Sequence, residues 1–364
     1  MYYELAATPA TCHWGYFDNS LEPVLQIASG DIVKIECICH QAGLAPDLMF
    51  DEGVREVWDA ITAPQRGPGA HIVTGPIAIL GAEPRDTLEV RFLQARPRLR
   101  FGVNVAGSWG PMYAPTPLST IRTRLRTLES TQHVVVYEAD WANGIARGYA
   151  QFSCPREPRI AIGTVLDATG AVRRPFPDVA VTLRPHMGIA GVAPAGRGRV
   201  STNPPGVFGG NIDNRSYLPG TRMFYPVQVA NALFWAGDTH LAEGDGEICG
   251  TAIESHLDVM LQFVLHKELR VTTPVLETDT QIMVHGFHEN LYESVRSSAV
   301  EAVREMRRRW GLTPREAYSL LSVACDCRIT QVVNGVKGTH FIIPKSLVNG
   351  PPTGARTAKP HWAR

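Results

Sequence analysis

The chain has 364 residues, 44% of them hydrophobic and 19% charged, which suits a large folded core and excludes a disordered chain. Lys+Arg and Asp+Glu both number 35, so the formal charge is zero and the balance argues against nucleic acid or an anionic membrane surface as the main partner. No apolar run approaches the ~20 residues of a membrane span, and the opening MYYELAATPATCHWGYF has no basic stretch followed by an apolar block, so a cytoplasmic location is expected.

Seven cysteines, an odd number without a CxxC pair, read as buried reduced thiols. In chain order, VLQIASGDIVKIECICH (24–40) has strand, turn, strand character, with Val33, Ile35 and Cys37 alternating against Ile32, Lys34 and Glu36. HIVTGPIAILGAEPRDTLEVRFLQARP (71–97) repeats the form, with turns expected at Gly75-Pro76 and at Glu83-Pro84-Arg85-Asp86. HVVVYE (133–138) and IARGYAQF (145–152) read as a strand pair joined through Asn143-Gly144. Short strands with regular turns point to a sandwich or barrel.

From about 155 to 250 glycine and proline dominate, as in RPHMGIAGVAPAGRG (184–198) and NPPGVFGGNIDNRSYLPG (203–220), and loops with little regular structure are expected. HLDVMLQFVL (256–265) is a strand with Leu257, Val259, Leu261 and Phe263 on one face. The pattern then becomes helical over 289–310, with Leu291, Val295, Ala299, Ala302, Val303 and Met306 on the apolar side and Gly311 as the stop. TPRE (313–316) opens a second helix with a capping box, running through Leu321. CRITQVV (327–333) and GTHFIIP (338–344) form a closing hairpin around Asn334-Gly335, and the tail from Pro351 is expected to fray.

The chemistry concentrates in WAGDTHLAEGDGEICGTA (235–252). Asp238 with His240, and Asp245 with Glu247, stand at i, i+2, so each pair shares one face of an extended segment, and Gly244 and Gly246 allow a tight bend between them. Such carboxylates and imidazoles suit Zn²⁺, Mn²⁺, Fe²⁺ or Ca²⁺, and a carboxylate beside the metal suits a general base. A solvated acidic turn explains the same composition, although the apolar flanks ANALFWAG and ICGTAI weigh against it. His71 opens a strand and His40 ends one, and strand ends lie at sheet rims where side chains converge. His186 sits in the RPHMG loop, and Asn211 and Asp213 are either turn formers or groups lining a pocket. There is no GxSxG elbow, P-loop, HExxH or GxGxxG.

GDTHLAEGDGEICGTAIE (237–254), together with HIVTGPIAILGAEPRDTLEVRFL, RPHMGIAGVAP, FGGNIDN and SLLSVACDCRITQVVNGVKGTHFIIPKS, resembles the acetamidase/formamidase family in order along nearly the whole chain. The resemblance implies a mainly β fold: a jelly-roll-like β sandwich over 1–155, a Gly/Pro-rich β section over 156–255 that carries the acidic stretch, a smaller α+β part over 256–350, and a flexible tail over 351–364. It also implies an amidohydrolase acting on a short aliphatic amide, a homo-oligomer, and a divalent metal ion, Zn or Ca. The family's acidic signature maps onto Asp238, His240, Asp245 and Glu247, its polar loop onto Asn211 and Asp213, and its HxxTGP segment onto His71. The roles expected are Glu247 and Asp245 as catalytic carboxyls, Asp238 and His240 with His71 or His40 as metal ligands, and Asn211, Asp213 and His186 as substrate contacts. The chain departs from the family pattern at Glu243, where many members have Gln, which adds a charge at the mouth of the expected site, and region 41–70 matches the family poorly. Two other readings stay open: amide hydrolysis by carboxylates without metal, and a non-catalytic jelly-roll binding protein.

Overall fold

The computed structural model describes residues 1–107, 110–111, 132–154 and 174–347, so the tail expected to fray lies outside the described residues. Among these residues eighteen strands join through hydrogen bonds into one continuous, mostly antiparallel system, and the fold is mainly β as the alternating pattern indicates.

Its spine is the strand Glu254–His266, paired antiparallel with Ile32–Cys37 on one side and with Thr87–Ala106 on the other. Leu257, Val259, Leu261 and Phe263 all point inward and are fully buried, as their spacing predicts, and Val33, Ile35 and Cys37 meet them from the neighbouring strand. Thr87–Ala106 continues past the spine to pair with Gln132–Asp140, which returns through Gly144 (φ +66°) into Ile145–Cys154, the hairpin expected there. The turn at Glu83–Asp86 also forms, closed by the Asp86 N–H donating to the Glu83 carbonyl at 3.0 Å.

Two expectations fail for one reason. Gly75-Pro76 lies inside the strand Ile72–Ile79 rather than at a turn, and residues 186–192 of the expected loop form a strand buried along its whole length. In both places glycine marks close approach instead of a bend. A Cβ on Gly75 would lie 2.6 Å from the Phe234 carbonyl, and one on Gly191 2.6 Å from the Phe208 carbonyl. The strand Phe234–His240 fits between these two, antiparallel to both.

Region 41–70 adds helical turns that the sequence pattern did not disclose, the longest being Glu52–Ala60. Asp51 caps it by accepting from the Val54 N–H at 2.9 Å, and Met49, Val54, Val57 and Ile61 pack with Trp14, Phe101 and Val103. His256 on the spine bridges both ends of the segment before it: Nδ1 accepts from the Cys39 N–H at 3.0 Å, and Nε2–H donates to the Met49 carbonyl at 2.9 Å.

At the other end of the chain the helices Leu291–Trp310 and Pro314–Ala324 lie on the strands Gln281–His288 and Lys337–Pro344. Gly311 (φ +67°) ends the first helix and the Thr313/Glu316 capping box starts the second, which runs three residues beyond the expected Leu321. Leu291 is 38% exposed rather than inside, because Ser294 and Ser298 bring the helix against the sheet: both hydroxyls lie within 3.1 Å of the Thr339 hydroxyl. Cys12, Cys37 and Cys39 are buried free thiols, whereas Cys327 is exposed on its strand, contrary to the uniform burial expected. No helix among the described residues is long and apolar enough to cross a membrane.

Because Leu261 fills the middle of the spine, Leu261→Ala should lower stability by about 2–5 kcal/mol, the cost of lost burial and a residual cavity. Chemical denaturation should show this as a lower midpoint with an unchanged slope.

Candidate active site

Strand ends deliver the expected residues to one place. The register pairs His240 with His186 on one neighbour and with Glu254, the first residue of the spine, on the other. His71 directly precedes the strand Ile72–Ile79, and His40 follows the strand Ile32–Cys37 at the start of the helical insertion. Between them lies Asp238, a buried aspartate with φ +46°, a left-handed conformation that an L-residue adopts at a cost.

The Asp238 carboxylate faces three imidazoles. His40 Nδ1 lies 3.7 Å from Oδ1, while His71 Nε2 at 3.7 Å and His240 Nε2 at 3.5 Å approach Oδ2. The rings of His40 and His71 meet edge to face with centroids 4.5 Å apart. Burial by itself would raise the Asp238 pKa, but His71, His240 and His40 together hold it well below the ordinary carboxylate range. Burial, with His71 beside it, pushes His40 down to about 3, and burial lowers His71 as well, so both are neutral imidazoles with lone pairs to offer. His71 is held by Thr202, whose hydroxyl lies 3.2 Å from Nδ1.

His40, His71 and Asp238 bring one ligand atom each within 4.8 Å of one another; a second set, Asp213/Asp238/His240, shares Asp238 with them, and a third, His186/His240/Glu243, shares His240 with the second. Asp238 Oδ1 and His40 Nδ1 are buried with no hydrogen-bond partner, an arrangement that a divalent cation between them satisfies. His240 differs from the other expected ligands, since both of its nitrogens already face carboxylates. Nε2 lies 3.4 Å from Glu254 and Nδ1 lies 3.4 Å from Glu243. Burial disfavours its charged form, yet Glu254, Asp238 and Glu243 hold its pKa well above the usual histidine value. His240 is therefore an imidazolium that ties carboxylates together.

Behind it, His186 Nδ1–H donates to the Arg184 carbonyl at 2.6 Å, and Nε2 lies 2.7 Å from Glu243 Oε2 and 3.1 Å from His240 Nδ1. A proton must lie between Nε2 and Oε2, because two lone pairs do not meet at that distance. His186 thus braces His240 from the inside. The Glu243 side chain is 1% exposed, so it belongs to the interior of the cluster and not to its mouth, as had been expected.

A second group of carboxyls completes the centre. Asp213 (φ +54°) and Glu247 (φ +47°) are both buried. Burial raises both well above their ordinary pKa, Asp213 further through Glu243, and Glu247 further through Asp213. Burial likewise pushes Glu254 up to about 7 against the pull of His240. Asp213 Oδ1, Glu247 Oε2, Glu254 Oε2 and Asn211 Oδ1 are buried without hydrogen-bond partners. Asn211 is fixed through its other terminus, Nδ2–H donating to the Asn203 carbonyl at 3.0 Å.

Asp245 does not join this centre. Its side chain is 32% exposed and pairs with Arg215 at 2.8 Å and with Arg328 at 3.8 Å. The i, i+2 rule fails there because the chain turns at residues 244–247 instead of running extended: the Glu247 N–H donates to the Gly244 carbonyl at 3.1 Å. Glu254, conversely, closes the GDTHLAEGDGEICGTAIE stretch and is assigned no role by the sequence reading. The signal that finds it is the cross-strand register with His240.

Gly188 keeps room for the centre, since a Cβ there would lie 2.5 Å from His240 Cε1 and 2.7 Å from Asp213 Oδ1. His40 and His71, with side chains 12% and 11% exposed, are its most open imidazoles and mark the side that faces outward.

These observations define a class first: a mainly β protein whose strand ends enclose a carboxylate–imidazole centre with the donor set of a divalent cation site. Residues 195–347 match the sequence model of the Acetamidase/Formamidase family. It is 26% identical to the acetamidase of Mycolicibacterium smegmatis over 356 residues, covering 82% of each chain. It is also 26% identical to the formamidase of Methylophilus methylotrophus over 278 residues, covering 71% of this chain and 66% of that one. The acetamidase structure from Bacillus halodurans superposes with a TM-score of 0.71 over 94% of this chain and 98% of the other at 24% identity, a likeness of fold.

Gly188→Ala should disrupt the centre while leaving the sheet intact. The expected outcome is a soluble protein with a cooperative unfolding transition and at least a ~100-fold loss of activity, because a misplacement of ~1 Å has that effect. Full activity in Gly188→Ala would mean that the atoms around position 188 have no part in the chemistry.

Proposed function

We propose that this chain hydrolyses a short aliphatic amide, of formamide or acetamide type, to the carboxylate and ammonia. Its curated relatives are an acetamidase and a formamidase. The observation that carries the reading is the set of orphaned carboxyl oxygens on Asp213, Asp238, Glu247 and Glu254, buried beside His40, His71 and His240. A binding protein has no need of carboxyls whose pKa burial raises, as it does at Asp213, Glu247 and Glu254, whereas proton transfer at neutral pH does.

His40, His71 and Asp238 would hold the divalent cation, which when bound supplies Lewis acidity at the amide carbonyl. Two neutral imidazoles and one carboxylate would suit Zn²⁺ better than the all-oxygen shell that Ca²⁺ takes. Glu247 is the general base. It takes a proton from water as the water oxygen bonds to the carbonyl carbon. The C–N bond then breaks, and the same proton passes to the departing nitrogen, so that ammonia leaves and the acid ionises. Asn211 Oδ1 accepts from the amide N–H and orients the substrate. His186 and Glu243 keep His240 in place, and Asp245 stays outside the reaction.

Ammonia release from a panel of formamide, acetamide and larger amides tests the reading directly, and no release from any of them would refute it. Glu247→Gln should lower kcat by roughly 10²–10⁴-fold, the usual yield of a general base, with the bound metal retained by elemental analysis. Asp245→Asn should remain within about threefold of wild type, as a solvent-facing ion pair contributes little. The base must be unprotonated, and its pKa is raised, so activity should fall as pH drops through a value well above the ordinary glutamate pKa. A pH–rate profile with its acidic limb near pH 4 would remove Glu247 from that role.

A further inference from the structure

The Asn334-Gly335 turn of the closing hairpin does more than reverse the chain. Its amide Nδ2–H donates to Asp213 Oδ2 at 2.7 Å, a contact spanning 121 residues. Gln331, fully buried, shapes the turn for this contact: its Oε1 accepts from the Val333 and Asn334 N–H groups at 2.9 and 3.0 Å, and its Nε2–H donates to the Val336 carbonyl at 2.8 Å. The same hairpin grips the loop that carries Glu247. The Gly246 N–H donates to the Thr330 carbonyl at 2.8 Å, and the Val332 N–H donates to the Gly246 carbonyl at 3.2 Å. One hairpin from the C-terminal part therefore holds both Asp213 and Glu247. Both residues have left-handed backbones, which need such outside support.

We propose that Asn334 is a positioning residue of the hydrolytic reaction: by donating to Asp213 Oδ2 it aims the unpartnered Oδ1 into the centre and fixes the spacing between Asp213 and Glu247. The inference rests on the amide-hydrolase reading above. Asparagine is also a favoured turn residue, and that role alone would account for its place beside Gly335. The two roles separate by substitution. Aspartate serves a turn as well as asparagine, but it has no N–H to donate and would set a second carboxylate against Asp213.

The test compares Asn334→Ala and Asn334→Asp with wild type on the amide the wild type hydrolyses fastest, reading kcat and KM separately along with the thermal midpoint. Both variants should lose about 10- to 100-fold in kcat, the effect of leaving a buried carboxyl oxygen without its donor, with KM within about threefold because Asn334 does not meet the substrate. Asn334→Asp should remain fully folded at the assay temperature and still be impaired. If Asn334→Asp matches wild type in kcat, the residue is only a turn former and the inference is overturned. The same holds if the kcat loss in either variant merely parallels a fall in the folded fraction. If the wild type releases ammonia from no amide on the panel, the hydrolase reading fails and this inference falls with it, an outcome distinct from an active wild type with unaffected variants.

Discussion

A carboxylate removed from water needs cations or donors around it, and the Asp238 carboxylate has three imidazoles instead of solvent. The rest of the centre is arranged about that requirement. His40 and His71 stay neutral because burial strips them of protons, so each has a lone pair to offer a cation shared with Asp238. His240 stays charged because it serves three carboxylates at once. Removing the charged His240 imidazole would leave buried carboxylates without their counter-charge, which is far more damaging than losing an ordinary surface pair.

The centre also stores backbone strain. Asp213, Asp238 and Glu247 all have φ near +50°, in a region where a side chain costs about 1–2 kcal/mol relative to the usual wells. That cost is offset by a sheet whose strands bury nearly all their inward side chains. The glycines at 75, 188, 191 and 237 belong to the same design, since each allows a neighbouring strand or side chain to come closer than a Cβ permits. In this molecule glycine abundance records tight layering as much as turning.

The sequence was informative where period and spacing decide the structure. Alternation over 32–37 and 257–263, the helical pattern ending at Gly311, the Thr313 capping box and the Asn334-Gly335 hairpin all appear in the fold. The convergence of His40, His71, Asp238 and His240 was also legible, since strand ends gather at a sheet rim. What stayed hidden depended on pairing between distant segments. Nothing local distinguishes Asp245 from Glu247, yet one faces two arginines and the other is buried. Glu254 gains its meaning only from its register with His240. The strand 186–192 was obscured because its glycines signal loop in sequence and close approach in space.

The bridging role of His256 carries a consequence for how the protein is made. It joins Cys39 to a strand 217 residues later in the chain, and through that joint it seats the segment from which His40 reaches Asp238. Closing so long a loop has an entropic cost that no local contact offsets in advance. The full centre therefore depends on a joint made late in the chain. The strand bearing His256 must have emerged and docked before His40 is seated against Asp238, so chemical competence arrives together with the completed sheet.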